Sequence, residues 1–279
     1  MDSIFFWRLT TGLPQSANRW NVCGAVWLLL FVPVVFGFPL FAQKSNTDAN
    51  LEFKRLATQL SEARFDGAAE NEAIQEKAMR YLDSLASVAL GSSGAPDLDG
   101  FNQRLASLVS HDPPVGENYQ LLRLGGNPAT YALVANFGLG GPAAVRVYTS
   151  IGDRFALAAK IDHFVQPDFF DSDIELIPVS VAEPAFVIVA GRTDDLATGV
   201  FSAWRFDGRR AAMLWSSDLL QQSSYQTDAS GFHLTYCSQP DDDHPARCPK
   251  MARDLYRLEA GDWKRIESTS LGPAEPAKK

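Results

Sequence analysis

The residue types that could do chemistry gather most densely in CSQPDDDHPARC, residues 237–248, where two cysteines bracket three aspartates and a histidine. Three chemistries fit that composition: a metal site, an acid/base centre, or a loop stapled by a disulfide. Zinc takes four ligands, and Cys237, Cys248 and His244 leave that set incomplete. Asp241, Asp242 and Asp243 are hard oxygen donors of the kind that Ca2+ accepts. A disulfide needs only the two cysteines and an oxidising compartment.

Elsewhere the familiar catalytic spacings are missing. The sequence has no G-x-S-x-G elbow, no H-E-x-x-H, no phosphate-binding Walker loop and no S-x-x-K. The glycine cluster GLGGPA at 138–143 opens no helix, so it reads as a hairpin loop rather than a phosphate cradle. His111, His163, His233 and His244 form no pair at metal-ligand spacing. His233 alternates with Phe232, Leu234 and Tyr236, which places it on the solvent face of a strand. Asp168, Asp171 and Asp173 follow His163 but lack the glycine and terminal glutamate of a calcium loop. Asp97, Asp99 and Gly100 are better used as a helix cap.

The compartment comes from the N-terminus. Residues 22–42, VCGAVWLLLFVPVVFGFPLFA, carry no charge, and Arg8 and Arg19 precede them. This is a secretory signal peptide cleaved after Ala42, or an uncleaved signal anchor holding the chain to a membrane. Both readings send the remainder out of the cytoplasm. The chain carries a net charge of −8. With scattered basic residues, that balance excludes nucleic acid as a main partner. Beyond residue 42 only Cys237 and Cys248 remain, the even count that one bridge requires.

These residues must be positioned by two kinds of element. Residues 43–116 read as a helical region, after a polar linker QKSNTDAN. A helix at 51–63 leads to a second with an apolar stripe of Ile74, Ala78, Tyr81, Leu82, Leu85 and Val88. The third, from Leu98 to Ser110, is capped by Asp97 and faces inward through Phe101, Leu105 and Leu108. From residue 117 to 269 the texture becomes β, in three units of four strand-like runs, A to D. The C–D turns SIGDR, FDGRR and EAGDW each set Gly beside Asp, and short hairpins of this kind need positive φ. Tyr148, Trp204 and Tyr256 occupy matching C-strand positions and read as repeat core rather than a ligand platform. Residues 270–279 read as a disordered tail.

The expected fold is α+β: N-terminal helices, then an antiparallel domain of three repeat units, propeller-blade-like or folded as a sandwich or bent sheet. Propellers ordinarily use four or more blades, so the helices are the candidates to cover an open side. The three B–C loops FGLGGPA, GRTDDLATG and CSQPDDDHPARC should share one end of the domain. Asp194 and Asp195 join Asp241, Asp242 and Asp243 as candidate ligands for Ca2+ or a basic partner there, and that rim could equally take a protein or a small molecule. The functional reading is an exported or anchored, non-catalytic binding module with Cys237 and Cys248 as its disulfide. The alternative is an extracytoplasmic hydrolase of glycan or peptidoglycan that uses loop carboxylates.

Overall fold

The computed structural model describes residues 39–62, 68–91, 95–109, 116–138, 141–162, 174–178, 184–190, 198–228, 231–241 and 247–273. The chain divides into two compact units, Met1–Leu40 and Phe41–Lys279. Apart from the first two residues of helix α1, all described elements belong to the second unit.

Three helices come first: α1 (Pro39–Glu62), α2 (Ala68–Leu90) and α3 (Leu98–Ala106). QKSNTDAN, expected as a linker, is helical and forms part of α1. Its side chains are polar, but it holds no glycine or proline, and Pro39 sits in the first turn where a missing N–H is harmless. The buried face of α1 is Phe53, Leu56, Ala57 and Leu60, spaced i, i+3, i+4 and i+7. On α2 the buried positions are Ala78, Met79, Leu82, Ala86 and Leu90. Val88, expected on the stripe, is 76% exposed, because the burying face is centred on Leu82 and Ala86. Asp97 caps α3 as expected, accepting the Gly100 N–H at 3.0 Å, and Phe101, Leu105 and Leu108 are buried.

Among the described residues twelve strands follow, in three four-stranded antiparallel sheets of consecutive strands. Sheet 1 is β1 (Glu117–Gly125), β2 (Thr130–Phe137), β3 (Ala143–Ile151) and β4 (Arg154–Ile161). Sheet 2 is β5 (Ile174–Pro178), β6 (Ala185–Ala190), β7 (Val200–Phe206) and β8 (Ala211–Ser216). Sheet 3 is β9 (Ser224–Asp228), β10 (Gly231–Cys237), β11 (Met251–Glu259) and β12 (Asp262–Ser270). The three expected units are therefore three meanders. Their C–D turns carry Gly152, Gly208 and Gly261 at φ of 63°, 92° and 79°, the left-handed region that hairpin turns need. A deeper sign of repetition lies in the register. Pairing slips by one residue between Val147 and Tyr148, between Ala203 and Trp204, and between Leu255 and Tyr256. Each D strand therefore bulges at the same place, leaving Ala158, Leu214 and Ile266 as its extra residue. Residues 270–272, expected within a disordered tail, are paired instead: Ser270 closes β12, and Leu271 and Gly272 bond Met251.

The layers are set by which face each strand residue serves. Tyr131, Leu133, Ala135 and Phe137 of β2 pack with the helices, while Ala132 and Val134 pack toward sheet 2 with Phe186 and Ile188 of β6. Val187 and Val189, on the other face of β6, meet Phe232, Leu234 and Tyr256 of sheet 3. The order is helices, sheet 1, sheet 2, sheet 3. Strands β2 and β6 are buried on both faces and read as continuous apolar runs, as sandwiched strands do. Sheet 3 alternates, and its outer face presents Gln226, His233, Thr235, Arg253 and Arg257. On the β1 edge of sheet 1, the Asn102 side chain of α3 accepts the Leu121 N–H at 2.8 Å and donates to the Leu121 carbonyl at 3.1 Å. One amide thus does the work of a neighbouring strand on that edge.

Candidate functional site

In a meander, the A–B and C–D turns share one end of each sheet and the B–C loop lies at the other. The Arg205 guanidinium of β7 donates to the Gly261 carbonyl at 2.6 Å, which joins the C–D turns of sheets 2 and 3. At the same end, the β1–β2 turn of sheet 1, through Asn127 and Pro128, faces the β7–β8 turn of sheet 2 across a cleft. The strand ends that flank the three B–C connections, Asn136 and Ala143, Ala190 and Val200, and Cys237 and Met251, pair at the opposite end of their sheets. Of their acidic residues, Asp241 is half-buried at the exit of β10, whereas Asp194, Asp195, Asp242 and Asp243 lie outside the described residues, as do His111, His163 and His244. Among the described residues no cluster of three or more His, Cys, Asp or Glu is placed to hold a metal ion.

Cys237 and Cys248 form a disulfide with a Cα–Cα separation of 5.7 Å, inside the usual range. The staple sits where β10 and β11 diverge. Ser238 continues the ladder one step by donating its N–H to the Lys250 carbonyl at 2.9 Å, so the bridge closes a loop whose two ends are already paired. Both cysteines are buried. His233 lies on the outer face of sheet 3, as its alternation implies, with Nε2 4.0 Å from Asp228.

The A–B and C–D end holds a cleft of about 420 Å3 between sheets 1 and 2. Asn127 and Pro128 of the β1–β2 turn form one wall, with Thr130 and Thr149 at the adjoining ends of β2 and β3. Pro184 and the stretch 205–208 form the other. Gly126 holds φ of 82°, and a Cβ there would stand 2.6 Å from Pro184 Cγ, so only glycine lets the two walls approach this closely. Asp207 Oδ1 accepts the N–H groups of Arg209 and Arg210, both at 2.9 Å. Those bonds, the Arg210 one first, hold its carboxyl below the usual carboxylate range. Thr130 donates its hydroxyl to the Pro128 carbonyl at 3.3 Å. Thr149, directly opposite it in the register, is 4% exposed, and among the described residues its hydroxyl has no hydrogen-bond partner.

A second concentration of charge lies where α2 meets sheet 1. Arg146 of β3 is 1% exposed and pairs with Asp162, with Glu76 at 3.7 Å and with Asp83 at 3.9 Å. Tyr148 donates its hydroxyl to Asp83 at 2.5 Å, and Lys160 bonds Glu76 at 2.9 Å. Burial raises the Asp83 carboxyl, against the pull of Tyr148 and Arg146. Burial likewise raises the Tyr148 phenol. Perturbed groups of this kind mark catalytic centres and structural ion networks alike. Here the partners are one another, across a helix–sheet seam.

Tyr148, Trp204 and Tyr256 each follow the bulge of their unit and pack toward the layer before them, as repeat core. Two residues earlier on the same face stand Arg146, Ser202 and Asp254, each buried. Ser202 accepts the Trp204 indole N–H at 2.8 Å, and Asp254 accepts the Tyr236 hydroxyl at 3.1 Å and the Ser268 hydroxyl at 2.6 Å. The repeat thus carries one polar position into each apolar interlayer. The sequence gives the cleft only faint signals: Asp207-Gly208 reads as a turn, and GGNPAT between β1 and β2 carries no motif.

Compared with known protein families, curated proteins and solved structures, the chain matches none.

Proposed function

We propose that this protein is an exported binding module that holds a small ligand in the cleft between sheets 1 and 2. The observation that carries this reading is the cleft itself, with the buried, unmatched Thr149 hydroxyl in its wall. Ligand sites are concave, with a few placed polar groups on a rigid frame. The two charged residues of this wall are oriented by backbone groups. Arg205 is tied to the Gly261 carbonyl and Asp207 to two backbone N–H groups. That favours binding over acid/base turnover. A hydrolase reading would call on Asp83, but its oxygens are engaged by Tyr148 and Arg146 beneath α2. Export is supported by the Cys237–Cys248 bridge, which persists in oxidising compartments, and by the apolar run at 22–42.

The binding claim is tested by titrating the full chain with neutral alcohols, primary amides, carboxylates and amines while following 1H–15N shifts. Coincident movement of Asn127, Thr149 and Gly208 is expected. Shifts scattered over the surface, or confined to the Arg146 centre, overturn it. Export is tested by a free-thiol assay on protein from its native compartment, where two reactive thiols would count against it.

A further inference from the structure

The cleft's polar groups differ in how far the fold already uses them. Thr130 and Arg205 are committed to the carbonyls of Pro128 and Gly261. Thr149 is not: its hydroxyl is buried with no donor or acceptor among the described residues. Leaving such a group unmatched costs folding stability, and each instance in a native structure calls for a reason. Beside it, the exposed Asn127 offers both an amide donor and an acceptor. Asp207 keeps acceptor capacity, because among the described residues Oδ2 meets only the Arg210 Nε, at 3.4 Å. Pro128 and Pro184 supply rigid aliphatic ring surface.

Charge then selects the ligand. An anion would meet the Asp207 carboxylate, and Arg205 turns its Nη1 away to the Gly261 carbonyl. A cation would find a single carboxylate that Arg210 already pairs with at 3.4 Å. A neutral ligand with several adjacent hydroxyls on a C–H-bearing ring meets neither penalty. It donates to Asp207, exchanges hydrogen bonds with Asn127 and Thr149, and lays its C–H face against the prolines. The volume, about 420 Å3, lies in the lower part of the range for small-molecule sites. We infer that the cleft takes a neutral saccharide of one or two units. This inference rests on the binding reading above and names its ligand class.

The test uses the full chain, with glucose and N-acetylglucosamine as neutral probes and glucuronate and glucosamine as charged counterparts. Neutral sugars should shift the amides of Asn127, Thr149 and Gly208, and the charged ones should not. Thr149→Val keeps the side chain's shape and removes the hydroxyl. It should weaken neutral-sugar binding about tenfold, the worth of roughly one hydrogen bond. Its melting temperature should be unchanged or higher, because an unmatched buried hydroxyl has gone. Asn127→Ala, on the exposed wall, should weaken binding without touching stability. Unchanged affinity in Thr149→Val, or a lower melting temperature, overturns the inference by making the hydroxyl irrelevant or structural. If charged sugars or amide fragments alone move the cleft, the saccharide class falls and the binding reading stands. If no probe moves it, both fall.

Discussion

Arg146 is the residue whose placement asks most of the fold. A guanidinium with 1% exposure must be matched, since breaking a buried pair leaves an uncompensated charge. Its matches are three carboxylates from two places in the fold: Asp162 after β4, and Glu76 and Asp83 on α2. The two α2 carboxylates are shifted in opposite directions. Hydrogen bonding from Lys160 lowers Glu76, and burial raises Asp83. Glu76 therefore contributes stability that is present above its unfolded value of 4.5 and is lost as pH falls through its folded value. With its side chain 41% exposed, that contribution is screened to about 0.5 kcal/mol. Asp83 has the reverse sign: stability declines as pH climbs from 3.8 through its raised folded value. Asp83→Asn, fixed neutral and still able to accept from Tyr148, should match the native chain at pH 3 and exceed it at pH 7. Arg146→Met should lose about 3 kcal/mol at pH 7, and adding Asp83→Asn should restore part of that loss. Urea midpoints of the three variants at both pH values measure this. Equal effects at pH 3 and 7 would show that Asp83 does not titrate as described.

At the scale of elements, the staple is the clearest case. The loop between Cys237 and Cys248 spans 11 residues of sequence, and closing a loop of that size stabilises by roughly 3 kcal/mol in the chain-entropy model. Replacing both cysteines with serine should lower unfolding free energy by about that amount, and treating the native chain with reductant should have the same effect. A chemical-denaturation midpoint that moves with neither would mean that the β10–β11 pairing alone holds the loop. The cysteine pair, the twelve strands and the Asp97 cap were legible because each depends on neighbours in sequence: alternation, turn glycines, a donor three residues on. The start of α1 was not, because polar residues without a breaker are compatible with helix or linker, and nothing local decides. Nor was Val88, since an apolar residue on the flank of a stripe is placed by what the helix packs against. The cleft was the least legible. Its walls come from positions 127–149 and 184–208, and no residue in them is unusual for a turn or a strand end. Only the stacking of two sheets brings Asn127 and Asp207 to one cavity.

At the scale of the molecule, three stacked sheets raise the problem of how a stack ends. Each inner sheet buries both faces, so a terminal sheet must have its outer face covered or made polar, as the end repeats of solenoids do. This chain uses both solutions. The helices cover sheet 1 through Phe53, Leu60, Met79, Leu82 and Phe101. Sheet 3 turns polar: where sheet 2 sets Val187, Val189 and Ala203 against its successor, sheet 3 sets Thr235, His233 and Arg253 toward solvent. The bulge residue records the same transition. Ala158 and Leu214 pack against the next layer, whereas Ile266 is 48% exposed. Arg253 is held across the sheet by Gln226 at 3.0 Å, and Thr235 is its direct partner on β10. Changing both to valine would join Leu255 and Ile266 into one apolar face of the kind that inner sheets bury, and exposed patches of that sort drive association. Thr235→Val/Arg253→Val should therefore self-associate with rising concentration in sedimentation velocity, while each chain keeps its fold by circular dichroism. Arg80→Val/Ser84→Val, a matched change on the exposed side of α2, should leave the sedimentation profile of the native chain unchanged. Equal association in the two variants would mean that added hydrophobicity acts anywhere on this surface. No association in the sheet 3 variant would mean that something other than Thr235 and Arg253 ends the stack.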